Sequence, residues 1–339
     1  MSRLRTILSS LFLSLFCVYG SAAQNSLLQT PVEKIPYADT LEDATFKKIL
    51  TLYQTKYGAE WVQAMSQLLD QDAVMLHWQG QQTMPIRGAT NIQNYLTKEV
   101  QQYPMLTKNV GRFMVAGSRV GGGNDPEGSV LILFYVGSTQ PENKKPWVWA
   151  GCDIITLSHG KIIDWRIEED TYMKWVKHPE KIDIQNEYNI IDNYWKPMTT
   201  TNNLVGMAYV QDLKRTVMPT KQRGDLLLQR MKDSIEQSTW EPDGILFLKG
   251  KNNVKAMFFD GLLSVLPDFY ENVERTLVSG NAFIMIQNPS GTQSLPNGNN
   301  HRAWYNCDIY FFDGVNISAM LFQRDTQMDI VEEQRGMKQ

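Results

Sequence analysis

Two matching hexapeptides, 155 residues apart, constrain this chain more than anything else in it. Trp149-Ala150-Gly151-Cys152-Asp153-Ile154 and Trp304-Tyr305-Asn306-Cys307-Asp308-Ile309 share Trp, Cys, Asp and Ile. The same offset carries Asp170-Thr171 onto Asp325-Thr326. Between them, His159-Gly160 and Asp313-Gly314 each mark a hairpin turn, with one residue of slippage. Upstream, Asp72-Ala73-Val74-Met75-Leu76 resembles Asp243-Gly244-Ile245-Leu246-Phe247, and Gly88 and Gly261 each open a helical stretch. A period this long in a chain of 339 residues means two whole domains rather than a solenoid.

Each half reads helix first, then strands. Thr40 and Asp43 form a capping-box pattern. Phe46, Ile49, Leu50 and Tyr53 share one helix face, and Trp61, Met65, Leu68 and Leu69 repeat that spacing after Gly58. The strand-like runs are Val74–Trp78, Val110–Val120, Ser129–Gly137, Trp147–Leu157 and Lys161–Asp170, with a short helix over Gly88–Leu96. The second half has a longer helical preface, in which Leu228, Met231 and Ile235 share a face. Strands follow near Ile245, Arg275, Phe283, Ala303 and Val315. This divides the chain into a first domain over 38–175, a linker over 176–186 containing His178-Pro179, a second domain over 187–326 and a polar tail over 327–339. Strands Trp147–Leu157 and Ala303–Phe312 are apolar on both alternating rows, so both faces are expected to be covered, one by helices and one by the other half's sheet.

The N-terminus reads as a secretion signal. Arg3 and Arg5 precede the apolar run Ile7 to Tyr19, which is shorter than the roughly 20 residues needed to span a bilayer. Gly20-Ser21-Ala22-Ala23 supplies small residues for cleavage after Ala23, so residues 1–23 are expected to leave a secreted protein, periplasmic in a Gram-negative cell. No later segment suits stable membrane insertion. The formal charge of −3 becomes −5 without the leader, with 31 basic and 36 acidic residues. With no Lys/Arg run there is no nucleic-acid partner to expect. Cys152 and Cys307 remain, at equivalent positions. They are expected to be two separate buried thiols, since a bridge would require both to lie on the twofold relating the halves.

The order of elements resembles the nuclear-transport-factor-2-like superfamily, and within it the SnoaL-like branch of polyketide cyclases. Pro85-Ile86-Arg87-Gly88-Ala89-Thr90-Asn91-Ile92 is similar to that branch's glycine-anchored helix. Leu266-Pro267-Asp268-Phe269, Gly280 and Gly291-Thr292 are similar to its proline–aspartate turn, hairpin and strand end. The run from Asp153 through His159-Gly160 to Trp165 resembles its closing hairpin. The resemblance implies an α+β fold of two cone-shaped domains, each a curved, mostly antiparallel sheet wrapped around helices, with a pocket at the open end. Such folds carry many activities, so fold alone does not settle this one.

The resemblance also implies an acid near the pocket, acting as general acid/base with neither metal nor organic cofactor. The candidates are Asp153 and Asp170, with His77 to orient or share a proton. Trp78, Trp149, Tyr95 and Tyr135 are the expected ligand-binding aromatics. Asp164, Arg166 and Glu168 alternate away from Trp165 and Ile167, and read as a solvated, salt-bridged row. The second half places Leu248 and Lys249 where the first has His77 and Trp78, and Gln293 where the branch tends to have His. An open polar pocket is therefore expected in the first half. Gly121-Gly122-Gly123-Asn124 lies between strands as a hairpin, not a phosphate loop. The four His include no HExxH, so no metal is expected. The resulting expectation is a small, largely apolar organic ligand, with cofactor-free cyclase-, isomerase- or hydrolase-type chemistry in the first domain. The alternatives are a non-catalytic carrier or sensor, and a structural module with filled pockets. The two halves are expected to form an internal pseudo-dimer, with the oligomeric state of the chain left open.

Overall fold

The computed structural model describes residues 40–55, 57–77, 85–103, 105–117, 129–140, 147–170, 182–216, 220–241, 244–295 and 298–324. Residues 1–23, Trp78, the glycine run Gly121-Gly122-Gly123-Asn124 and residues 327–339 lie outside the described residues. All described residues belong to one compact unit, Val32–Gln339.

The first half begins with helices α1 (Thr40–Tyr53) and α2 (Ala59–Ser66), then strands β1 (Leu69–His77) and β2 (Ile86–Arg87). Helix α3 (Ala89–Gln102) follows, then β3 (Thr107–Ala116), β4 (Val130–Thr139), β5 (Trp147–Ser158) and β6 (Lys161–Glu169). The second half has helices α4 (Gln185–Tyr194), α5 (Thr201–Arg215) and α6 (Thr220–Gln229), then β7 (Met231–Glu241) and β8 (Gly244–Lys249). A broken helix comes next: α7 (Lys251–Val254), a π-helical turn Lys255–Asp260, and α8 (Gly261–Val265). Strands β9 (Tyr270–Ser279), β10 (Ala282–Leu295), β11 (Gly298–Ala303), β12 (Asn306–Asp313) and β13 (Asn316–Arg324) complete it. The boundary drawn at 187 falls inside α4.

The first sheet runs β2-β1-β6-β5-β4-β3. The second runs β8-β7-β13-β12-β10, with β9 and β11 both paired to the long β10. Strand for strand the order is the same, and β11 is an added hairpin arm. Each sheet is mixed, antiparallel except at one parallel pair, β1 with β6 and β7 with β13. This is the expected α+β class, and neither order closes into a barrel.

The registers also correct the internal alignment. His77 lies opposite Ile167, and Thr239 lies opposite Phe322. Thr239 on β7 therefore occupies the place of His77; Leu248 and Lys249 on β8 do not. The expected helix through Leu228, Met231 and Ile235 stops at Gln229, and the last two residues belong to β7. Their helix-like spacing comes from a bulge. Met231 faces Ile317, yet Glu236 already faces Ala319. Strand β1 makes the same excursion, with Leu69 facing Ile162 and Val74 facing Asp164. The repeated glycines are Gly88 and Gly250 rather than Gly261. Each precedes its helix at φ 85° and 91°, a region that glycine enters without strain. Each donates its N–H backwards, to the Ala73 and Ile235 carbonyls at 2.8 and 2.7 Å.

Both faces of the central strands are covered. Ala150, Cys152 and Ile154 of β5 share one continuous core with Ile284, Ile286, Cys307 and Ile309 of the second sheet. Met207, Val210 and Leu213 of α5 cover the opposite row, Phe283, Met285, Tyr310 and Phe312. The row expected to be solvated is instead turned toward the second half. Arg166 pairs with Glu274 at 2.7 Å, Arg275 lies 3.7 Å from Asp164, and Glu168 is buried. Covering this row with a second sheet turns a surface ion pattern into an interface one.

Helix α4 joins the halves. Tyr188 lies over Gly111 of β3, and Arg112 binds Asp192 at 2.5 Å. On the other side, Glu187 accepts from Trp240 Nε1 at 3.0 Å and from Gln323 Nε2 at 2.5 Å. Burial pushes the Glu187 carboxyl up to about 7, and these two neutral donors offset only part of it. A raised folded-state value adds stability below the ordinary carboxyl range near 4.5, and that stability is lost as pH rises through about 7. Glu187→Gln should therefore gain on wild type by up to about 3 kcal/mol between pH 4 and pH 8. Urea unfolding at both pH values measures this, and a gap that does not widen with pH contradicts it.

Candidate functional site

Three strands and one helix of the first half converge on Asp153. It lies on the inward row of β5, fully buried, opposite Leu133 and Ile167. A carboxylate taken from water needs donors on every side. Tyr53 at the end of α1 donates its hydroxyl to Oδ2. Tyr135 of β4 donates to Oδ1 at 2.8 Å, and Trp165 Nε1 of β6 to Oδ2 at 3.2 Å. Lys108 of β3 places its ammonium 3.4 Å from both oxygens. Burial alone would lower the Lys108 ammonium, but Asp153, Glu169 and Glu99 outweigh it and hold it charged, above the ordinary lysine range. Burial, reinforced by Asp153, drives the Tyr53 and Tyr135 phenols well above their usual range, so both remain neutral donors.

The Tyr135 ring reaches this position because its cross-strand neighbour is Gly151. A Cβ there would stand 2.2 Å from the ring. The same hydroxyl lies 2.9 Å from Glu169 Oε1, and Lys108 is 3.2 Å from that oxygen. Glu169 in turn meets His77 Nε2 at 3.1 Å. The other ring nitrogen of His77 meets the Tyr95 hydroxyl at 2.6 Å, with Glu99 at 4.0 Å. The result is a chain of polar contacts, Tyr53–Asp153–Tyr135–Glu169–His77–Tyr95. Its members are buried except Tyr95, which is partly exposed on α3. His77, Glu99 and Glu169 also form a group whose ligand atoms lie within 4.8 Å of one another. Tyr95 and Glu169 already take up its imidazole nitrogens, and Lys108 lies against Glu169.

The structure thus brings Asp153, His77, Tyr95 and Tyr135 into one network. Trp149 is fully buried and lies over Gly137, its cross-strand neighbour. The inward row of β6 is Trp165, Ile167 and Glu169, so Glu169 takes the place expected of Asp170. Asp170 is buried one residue further on, with its N–H on the Ala150 carbonyl at 3.2 Å. Trp78 lies outside the described residues. Sequence reasoning missed Glu169, Lys108 and Glu99. The alternation through Trp165 and Ile167 already pointed to Glu169; Lys108, inside the polar run Thr107-Lys108-Asn109, carried no such signal.

The second interior keeps the plan and exchanges the charges. Asp308 lies opposite Met285 as Asp153 lies opposite Leu133, and Gln287 takes the place of Tyr135. Gln287, Asn306 and Tyr310 donate to Asp308 at 2.6, 2.8 and 3.2 Å. Burial pushes the Asp308 carboxyl up to about 7, against the pull of Lys214. By register, Glu271 opposite Pro289 stands where Lys108 stands opposite Gly137. Lys214, near the end of α5, binds that glutamate from the place where α1 offers Tyr53.

Two cavities lie at equivalent places. The first, about 500 Å³, is lined by Gly58, Ala59, Val62, Gln63, Gln93, Thr97, Val100 and Gln101, between α2 and α3. The second, about 30 Å³, includes Thr220, Arg223 and Gly224, at the same steps of α6 as Ala59, Val62 and Gln63 occupy in α2. Its Phe259 and Leu262 lie as far beyond Gly250 as Thr97 and Val100 lie beyond Gly88. Arg223, Phe259 and Leu262, larger than Val62, Thr97 and Val100, close the second mouth down. It is the smaller cavity, however, that reaches charged groups, Lys214, Arg223 and Glu271. The larger one has an uncharged lining that includes none of the expected site residues.

Asp153 is therefore held as an acceptor by four donors. Asp153→Asn turns an amide donor toward them and should cost roughly 3–5 kcal/mol, as expected for breaking a buried ion pair. Gly151→Ala should displace the Tyr135 ring and cost about 1–3 kcal/mol. Urea unfolding measures both, and near-wild-type stability of either variant contradicts this assignment.

No family model and no curated protein matches the chain. Solved structures do. A phenazine biosynthesis-related protein from Pseudomonas aeruginosa shares 13% identity, covering 41% of this chain and 86% of that one, with a TM-score of 0.31. A SnoaL-like polyketide cyclase from Shewanella putrefaciens shares 13%, covering 41% and 98%, with a TM-score of 0.32. An NTF2-like protein of unknown function from Burkholderia pseudomallei shares 14%, covering 41% and 100%, with a TM-score of 0.31. The fold stands on its own strand orders. Over about two fifths of its length, the chain is similar to SnoaL-like polyketide cyclases and NTF2-like proteins.

Proposed function

We propose that the chain is a secreted, internally pseudo-dimeric binding protein, whose first half takes a small, largely apolar organic molecule in the groove between α2 and α3. The observation that carries this reading is the groove itself. Its volume of about 500 Å³ falls within the usual range of small-molecule sites, roughly 300–1,000 Å³. Its walls offer Val62, Val100 and Ala59 for apolar contact, and Gln63, Gln93, Gln101 and Thr97 for hydrogen bonds. With no charged wall, it suits an uncharged molecule bearing a few oxygen or nitrogen functions. Secretion is supported by the basic, apolar and small-residue segments ending at Ala23. No described helix is long and apolar enough to cross a membrane. The pseudo-dimer is supported by the matching strand orders and the shared core.

A second reading, acid/base catalysis, is favoured by one arrangement. His77 is held between Tyr95 and Glu169; Tyr95, the partly exposed member of this network, lies on the face of α3 turned away from the groove residues Gln93 and Thr97. A proton taken up at Tyr95 has a path through His77 to Glu169. On this reading His77, rather than the saturated Asp153, is the catalytic base.

Native mass spectrometry of the protein purified from its own host should show a retained small molecule. Thr97→Trp, which fills the groove from a half-exposed position, should lose it, and Thr97→Ser should keep it. A wild-type chain without any bound molecule, or one that Thr97→Trp leaves in place, contradicts the proposal.

A further inference from the structure

The cavity of the second half carries charge that its first-half counterpart lacks. Where α2 has Val62, α6 has Arg223, and where α1 offers Tyr53, α5 offers Lys214. Lys214, Arg223 and Glu271 all line the space, at 4%, 5% and 4% exposure. Glu271 Oε1 accepts from the Lys214 ammonium, and Arg223 Nη1 stands 3.6 Å from Oε2. An ammonium has three protons to give. Among the described residues, that of Lys214 has one acceptor, Glu271 Oε1; it also lies 5.7 Å from the centre of the Tyr310 ring. Within the lining, two cations face one carboxylate. The next acid is Asp308, linked to Glu271 through Gln287 Nε2. Burial pushes its carboxyl up to about 7, so it does not supply a full opposing charge at neutral pH. A buried charge in excess of its counter-charge is costly, and ammonium protons without acceptors add to that cost.

We propose that this cavity is an anion site, taking one halide ion between Lys214 and Arg223. Its volume of about 30 Å³ is roughly the share of one water molecule in the liquid. That suits a halide and is too small for a phosphate, a sulfate or a whole organic acid. The ion accepts from the Lys214 protons that Glu271 leaves over, and the Arg223 guanidinium draws it from the other side. Hydrogen bonds between ionised partners are the strong ones. Helix α6 opens at Thr220 in the same wall, which sets the positive end of its dipole there. The Thr220 hydroxyl itself is committed to the Pro267 and Phe269 carbonyls, at 3.2 and 3.0 Å. Leu227, Phe259, Leu262 and Phe269 supply apolar walls, which limit the screening of the charges by water. The site depends on residues that the second half alone carries, since the lining of the first-half groove is uncharged. It is therefore independent of the molecule proposed for that groove.

Crystals of the full chain grown in sodium bromide provide the direct test. An anomalous bromide peak in contact with Lys214 Nζ and the Arg223 guanidinium is expected. In solution, the melting temperature should rise by a few degrees, and saturate, in sodium chloride relative to sodium gluconate at the same ionic strength, because an ion that binds only the folded chain stabilises it. Lys214→Met removes the ammonium and should abolish the rise. Leu262→Trp fills the space from a half-buried position and keeps all three charged groups. It should abolish the rise as well, and it decides the matter where Lys214→Met does not fold. A cavity without bromide, equal melting in the two salts, or a rise that survives in either folded variant would overturn the proposal.

Discussion

Everything in the first half is arranged around a carboxylate with no access to water. Asp153 sits at zero exposure and accepts from Tyr53, Tyr135, Trp165 and Lys108. Those donors come from α1, β4, β6 and β3. The electrostatic cost of burying one charge thus fixes the placement of four elements on β5. Gly151 exists at its position because the Tyr135 ring must lie across it. Lys108 is held between Asp153 and Glu169, so one cation serves two carboxylates. An acid saturated in this way is a structural centre rather than a reagent.

Much of this was legible in the residues, and the failures have physical causes. The Trp-x-x-Cys-Asp-Ile repeat located β5 and β12 and their place in the middle of two covered sheets. The hairpin glycines and the strands of the first half followed from composition and alternation. Strand β7 was lost because a bulge spaces Met231 and Ile235 like a helix. That loss displaced the internal alignment, so Leu248 was set against His77 where Thr239 belongs. Asp153 was visible as a buried acid, but its function depended on partners far away in the chain, which no local pattern shows. Lys108 is the clearest case. A lone lysine in a polar run reads as solvent-exposed, yet it is 2% exposed and paired.

Duplication has left two versions of one design. Both interiors carry an acid at the same strand position, and both have a mouth over the same helix steps. In one, a lysine on the sheet meets the acid, which also accepts from a tyrosine at the end of a helix. In the other, a glutamate on the sheet meets a lysine from the helix. The bulkier Phe259, Leu262 and Arg223 narrow the second mouth to about 30 Å³, while Thr97, Val100 and Val62 leave the first at about 500 Å³. Divergence is concentrated at the mouth, while the sheet plan is retained.

The most direct test of the central claim, that Asp153 and Lys108 are a buried structural pair, is a double-mutant cycle with Asp153→Leu and Lys108→Met. Lys108→Met leaves two buried carboxylates without their cation, and Asp153→Leu leaves Lys108 with Glu169 alone, so both should lose stability. The double variant removes both charges and should recover part of the loss, with a coupling of about 1–3 kcal/mol by urea unfolding. Losses that add within about 0.5 kcal/mol would show that the two groups do not depend on each other, and would contradict it.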